Sequence, residues 1–137
     1  MAFAEISETS LDLGRHLEAV SAPECGAIVT FIGQTRDHDP DVEGKVELIE
    51  YSAHPDASEI LKRLANEVEV PEARLAVSHR VGTVRVGEPA LIACVASAHR
   101  AFAFDLSRNL VERIKTEVPI WKRQKTHGGS HSWKGLE

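Results

Sequence analysis

The chain has no apolar run approaching the ~20 residues needed to cross a bilayer, and residues 1–10 show neither the basic start nor the apolar core of a secretory signal. The expectation is therefore a cytoplasmic chain with no membrane partner. Cysteine is scarce. Cys25 and Cys94 both sit in apolar surroundings and in no CxxC or Cys/His metal pattern, so they read as buried thiols rather than a disulfide or a zinc site. There is no internal repeat and no low-complexity segment. No GxGxxG follows a strand and no GxxxxGK[ST] occurs, so the common nucleotide loops are missing, and no Ser/His/Asp nucleophile signature is found. Asp37, Asp39 and Asp41 imitate the start of a calcium loop. Such a loop requires glycine at its sixth position and glutamate at its twelfth, and here those are Val42 and Leu48. His127 and His131 have i, i+4 spacing, but Gly128 and Gly129 between them argue against a helix and no third ligand is apparent. No metal and no cofactor are expected.

What is present is an ordinary globular composition, 42% hydrophobic and 27% charged over 137 residues, which fits one domain, 1–137. The net charge of −5 is unevenly spread: residues 1–79 carry 6 Lys+Arg against 16 Asp+Glu, and residues 80–137 carry 10 against 5. An acidic protein of this kind is a poor nucleic-acid binder but leaves room for a local anion site near its C-terminal end.

Periodicity supplies the elements. Leu13, Leu17 and Val20 mark a short helix over 10–20 with Ser10 as its cap. The glycine-bounded run 26–33 (GAIVTFIG) reads as a buried strand, 34–44 as an exposed loop, and 45–52 as a second strand. After Pro55, the residues Ala57, Ile60, Leu61, Leu64 and Val68 form one helical stripe. Strands follow over 73–80, 83–86 and 90–97, separated by Gly82 and Gly87-Glu88-Pro89. Phe102, Leu106, Leu110 and Ile114 recur every fourth residue and predict a long helix over 99–116, capped by Ser97 and closed by Pro119. Residues 120–125 read as a last strand and 126–137 as loop. The order αββαβββαβ lacks strict βαβ alternation and places the chain in the α+β class.

The candidate chemistry is cationic. Pro119 forces a reversal between Lys115, at the end of the long helix, and Lys122, in the strand after it, and burial of Ile120 and Trp121 is expected to fix that turn. Both ammonium groups can then approach one pocket. Two close lysines repel, which lowers one pKa and favours a neutral amine able to act as base or nucleophile. The bland alternatives are a lysine placed by the helix dipole and a solvated lysine on a strand. His99 and Arg100 open the long helix, where backbone N–H groups and a guanidinium fork favour a phosphate. Arg36 lies just past a strand end, where site loops begin. His79-Arg80, a similar dipeptide, reads as structural.

Three segments together carry a family pattern: GAIVTFIGQTR (26–36), VSHRVGTVRVGEPALIACVASAHRAFAF (77–104) and IKTEVPIWKRQ (114–124). The combination HRxGxxxVGE, SxHRxxAF and KxxxPxWK closely resembles the large, catalytic subunit of molybdopterin synthase, the MoaE family, from about Cys25 to Trp133. The resemblance implies an α/β hammerhead fold of mixed and antiparallel sheet. It implies an enzyme that installs the dithiolene of molybdopterin on cyclic pyranopterin monophosphate. The sulfur would come from the thiocarboxylated C-terminal Gly-Gly of a small ubiquitin-like partner. Large subunits would pair as a central homodimer within a heterotetramer. Lys115 and Lys122 match the family's two catalytic lysines, and Arg36, His99 and Arg100 its substrate-anion residues. Gln34, Thr35, Arg123 and Gln124 fall in the substrate-contacting segments. The chain departs from the family pattern twice, with Gln34 where a basic residue is frequent and Gln124 where a glutamate is frequent.

A helix over 99–116 rises about 1.5 Å per residue, so His99-Arg100 and Lys115 stand roughly 20 Å apart in one chain. One pterin does not span both. The expected site is therefore shared across a two-fold interface. A scaffold that docks a ubiquitin-like tail without catalysis, or a small phosphorylated-metabolite-binding domain, would account for the same cations without turnover.

Overall fold

The computed structural model describes residues 2–40, 44–127 and 131–134. Their elements run β1 (Phe3–Ser7), α1 (Leu13–Val20), β2 (Ala27–Gln34), β3 (Val46–Ala53), α2 (Ala57–Val68), β4 (Ala73–Arg80), β5 (Gly82–Arg85), β6 (Pro89–Ser97), α3 (Arg100–Glu117), β7 (Ile120–Thr126) and β8 (His131–Lys134). The inner nine follow the expected order, and a strand is added at each end. The fold is α+β, with two four-stranded sheets ordered β1-β4-β6-β2 and β5-β3-β7-β8.

The first sheet is buried on both faces. Along β4 and β6, Leu75, Val77, Leu91, Ala93 and Val95 face α2 and α3, joining Leu61, Leu64, Val68, Leu110 and Ile114 in the main core. The intervening Ala76, Ile92, Cys94 and Ala96 face α1 and pack with Val20, Leu13 and Leu17. This is why the 90–97 run is apolar without alternation: each of its residues has a neighbour layer to enter. The second sheet is wholly antiparallel along β5-β3-β7-β8. Among the described residues, no helix is long and apolar enough to cross a membrane.

Several local expectations are corrected. The α1 cap is Asp12, whose carboxylate accepts from the Arg15 amide at 3.4 Å, not Ser10. The α3 cap is His99, without a side-chain cap bond; Ser97 instead donates its hydroxyl to the His99 carbonyl at 2.7 Å. The tail expected as loop contains β8, paired with β7, while 128–130 and 135–137 lie outside the described residues. The 34–44 segment is not wholly an exposed loop, because Gln34 ends β2 and Asp39 is buried; Asp41 lies outside the described residues. Cys94 is buried and Cys25 half-buried, and both are free thiols. Burial pushes the Cys94 thiol up, against the opposing bond to Thr30.

The α3 start is set against β2 by a close backbone approach. A Cβ at Gly26 would stand 2.8 Å from the Ala98 carbonyl oxygen, a backbone atom with no side-chain freedom to yield. Gly26→Ala is expected to lower folding stability by about 1–3 kcal/mol, read as a lower urea midpoint at unchanged m-value; an unchanged midpoint would show that the two segments are not held in contact.

Candidate active site

The helix α3 ends at Glu117, and its cap residue Val118 donates its amide to the Ile114 carbonyl at 3.1 Å. Pro119 then turns the chain, its carbonyl accepting from the His54 amide at 3.0 Å, and β7 runs back antiparallel to β3. Ile120 is half-buried against the main core, as expected for a residue that fixes this turn. Trp121 is not buried: it is 39% exposed, its ring 6.4 Å from that of His54. The backbone hydrogen bonds and Ile120 hold the reversal without it.

Alternation along β7 sends Lys122 and Gln124 to one face, opposite Tyr51 and Ile49 of β3. That face closes a cleft of about 270 Å³ at the seam between the sheets, lined by Gln34, Arg36, Asp39, Tyr51, Lys115, Lys122 and Gln124, with Gly33, Ile49, Ala90 and Leu91. The two lysines expected to converge do share this cleft, and Arg36 and Gln34 join them. At β2 the register shifts between Gly33 and Gln34, which redirects the chain toward the seam.

Four expected residues lie elsewhere. Arg123 is on the opposite face of β7, facing Glu50 across the strand pair at 3.9 Å, as the period-2 alternation requires. Thr35 is buried outside the cleft lining. Its backbone bridges to the 85–89 turn, accepting from the Gly87 amide at 2.8 Å and donating to the Glu88 carbonyl at 3.2 Å. His99 and Arg100 sit at the far end of α3. His99 lines a separate apolar hollow with Val70 and Phe102, and about 22 Å of helix rise separates Arg100 from Lys115. No single protomer brings these two ends together.

One participant went unread in the sequence, and one residue read as structural stands close behind the site. Asp39, from the segment taken as exposed loop, is 9% exposed and accepts from the Gln124 side-chain amide at 2.9 Å. His79, read as structural, stands behind the cleft with its ring 5.3 Å from Tyr51, edge to face. Its Nδ1 lies 2.8 Å from the Arg80 carbonyl and donates to it. Burial pushes the imidazole down to about 4. The Arg80 carbonyl opposes this, and the charges of Lys115 and Lys122 add to it. The field at His79 thus gives a second indication that both ammonium groups converge on one place.

A larger open hollow of about 900 Å³ lies on the other side of Tyr51, lined by Glu5, Glu8, His54 and Pro55 among others, with no lysine or arginine. It offers an anion nothing, so the cationic chemistry belongs to the smaller cleft.

A family model described as MoaE protein matches residues 6–117. The chain is 35% identical over 138 residues to the molybdopterin synthase catalytic subunit 1 of Mycobacterium tuberculosis, covering 97% of this chain and 90% of that one. It superposes on the crystal structure of molybdopterin synthase from Staphylococcus aureus with a TM-score of 0.87 and 30% identity, covering 96% of each chain. A Helicobacter pylori structure, a complex of subunits 1 and 2 of molybdopterin-converting factor, shares the fold with a TM-score of 0.74 and 21% identity, covering 96% of this chain and 87% of that one.

The buried imidazole sets an acid limit on stability. Its folded pKa lies below the unfolded value, so the unfolded state binds the extra proton between them. The contribution is full above about pH 6.5 and is lost as pH falls toward 4, to the extent of about 3 kcal/mol. In His79→Gln, the difference between urea-unfolding free energies at pH 7.5 and 4.5 should shrink by about that amount relative to wild type; an identical difference would show that His79 is not held neutral.

Proposed function

The chain belongs to the MoaE protein family, and from that premise we propose that it is the catalytic subunit of a molybdopterin synthase, with the Lys115–Lys122 cleft as its sulfur-transfer site. The observation that carries this reading is the convergence of Lys115, Lys122 and Arg36 on one cleft. The substrate is cyclic pyranopterin monophosphate, and the sulfur enters as the C-terminal thiocarboxylate of a small ubiquitin-like partner. Both the phosphate and the thiocarboxylate are anions that a tricationic cleft draws in and orients. The partner reading is supported by the complex of two different subunits that the Helicobacter pylori protein forms.

Each transfer forms a carbon–sulfur bond as the thiocarboxylate sulfur attacks a side-chain carbon of the pterin and a carbon–oxygen bond there breaks, the oxygen leaving as the opened phosphate ester in one transfer and as water in the other. Water then cleaves the resulting thioester, leaving the thiolate on the pterin and a carboxylate on the partner. Charge develops on oxygen in both steps. Lys115, at the mouth of the reversal, stabilises that oxyanion and moves the accompanying proton. Lys122 assists and holds the partner's terminal carboxylate. The reaction is placed in the cytoplasm.

The phosphate cradle of Arg100 and His99 comes from a second copy of the chain. Strand β2 is a free edge of the first sheet, and it exposes Ile28 and Ile32. On the neighbouring helix, Phe104 is 60% exposed. An apolar, unpaired edge of this kind is a template for pairing with itself. The register sets Ala27 beside Ser97, near the start of α3, while Gln34 and Arg36 at the other end line the cleft. Antiparallel β2–β2 pairing across a two-fold axis therefore carries the α3 start of one protomer to the cleft of the other. The spans agree: β2 covers about 24 Å at strand rise, and the helix from Arg100 to Lys115 about 22 Å.

With thiocarboxylated partner and pterin precursor, Lys115→Ala should lower dithiolene formation by about 100-fold or more while dimer and partner binding persist. Near-normal turnover would remove Lys115 from the mechanism, and partner binding by the wild type without turnover would identify a docking scaffold.

The shared site has its own test. Arg100→Ala should be nearly inactive by itself. Mixing it with Lys115→Ala under subunit exchange should restore about a quarter of wild-type activity, because half the dimers then carry one intact composite site. No recovery on mixing would place both residues in the same protomer's site.

A further inference from the structure

We propose that Asp39 is the positioning carboxylate of the lysine cleft, a buried anion fixed by the Gln124 amide that balances the charge of Lys115 and Lys122 and holds them in place. The proposal rests on the reading of the cleft given above, and it extends that reading to a residue on the 35–45 segment.

Among the described residues that line the cleft, Asp39 is the only acidic one, facing Arg36, Lys115 and Lys122. A sphere of 270 Å³ is roughly 8 Å across, no more than a Debye length at physiological salt, so these charges act on one another with little screening. Asp39 is 9% exposed and Gln124 is 2% exposed. A carboxylate that deep persists only with hydrogen bonds and opposite charge to offset its lost hydration. One oxygen accepts from Gln124 Nε2 at 2.9 Å, and the three cations supply the charge. The segment that carries Asp39 is anchored on its far side, where the Val46 amide donates to the Asp37 carbonyl at 2.7 Å.

The hydrogen bond fixes the chemistry of both partners. An ionised carboxylate only accepts, so Gln124 presents its NH₂. The pair therefore needs one amide and one carboxylate, and the charge can stand on either side of the bond while remaining in the cleft. Two amides would keep the hydrogen bond and lose the charge. Two carboxylates would lose the bond and repel.

The charged and titratable groups around this pair are Arg36 after β2, Tyr51 on β3, His79 on β4, Lys115 on α3 and Lys122 on β7. His79 is neutral above about pH 4 and Arg36 is cationic throughout. Near neutrality Asp39 thus faces three cations and a neutral imidazole.

The test compares wild type with Asp39→Asn, Gln124→Glu and the exchanged double variant Asp39→Asn/Gln124→Glu, each as the full chain with its thiocarboxylated partner. Lysine titration is followed by NMR of isotopically labelled side-chain amines, a readout that does not depend on turnover. In Asp39→Asn the lysine midpoints should fall, and the alkaline limb of the kcat/KM profile should move acidward with them, with little change in thermal midpoint. Gln124→Glu should lower stability. The double variant should return both the lysine midpoints and the rate limb to near wild type. Unchanged lysine titration in Asp39→Asn, or a double variant no closer to wild type than the single ones, would overturn the proposal. Failure of the wild type to form dithiolene, with the titration shifts intact, would overturn only the assigned reaction.

Discussion

Arg36, Lys115 and Lys122 meet in one hollow at the seam of two sheets, and like charges so placed repel one another. The fold must hold them there against that cost. The backbone sets where each is carried, and Asp39 in the same cleft offsets their charge. Lys115 is fixed by the last turn of α3, and Lys122 by the β3–β7 ladder opposite Tyr51. The Pro119 reversal between them is tied to His54 through a main-chain hydrogen bond. Arg36 follows the register shift at the end of β2, so a strand irregularity delivers the third cation. The burial of β4 and β6 on both faces matters for the same reason: it fixes the sheet against which α3 packs, and so the helix end that carries Lys115.

What was legible in the sequence was whatever a repeating pattern or a proline enforces. The stripe through Ala57, Leu61, Leu64 and Val68 faces the core as expected, and the apolar run of β6 is buried on both sides. The lysine convergence was read from the Pro119 reversal with Ile120 and Trp121 as its anchors, of which only Ile120 packs against the core. What escaped was held by partners distant in the chain. The strand β1 is five residues paired in parallel with β4, and only that pairing distinguishes it from a loop. The strand β8 exists through its ladder with β7. Asp39 sits in a polar stretch whose composition says exposed. Its burial depends on Gln124, 85 residues later, and no local pattern records that. Arg123 was assigned to the site by adjacency to Lys122, but strand alternation turns neighbours to opposite faces. The expectation at Ser97 chose the right residue type for a cap two positions too early, and its hydroxyl bonds the His99 carbonyl instead.

The loss of a carboxylate at position 124 was the sharpest departure from the family pattern in the sequence, and the structure gives it a physical complement. An amide at 124 is matched by a carboxylate at 39, within hydrogen-bond distance and inside the same cleft. Charge in a site is a property of the volume, not of the residue that delivers it. A strand residue and a loop residue that touch are therefore interchangeable in sign, provided the other member of the pair changes with it.

That exchange carries a consequence for how the site is assembled. A carboxylate on β7 would be positioned by the ladder itself. A carboxylate at Asp39 is positioned instead by its bond to the Gln124 amide, beside the main-chain bond from Val46 to Asp37. The same segment follows Arg36, and the proposed two-fold pairing runs along β2 immediately before it. The counter-charge is thus held within one protomer by the Asp39–Gln124 bond, and in the proposed two-fold pairing only the phosphate cradle comes from the second.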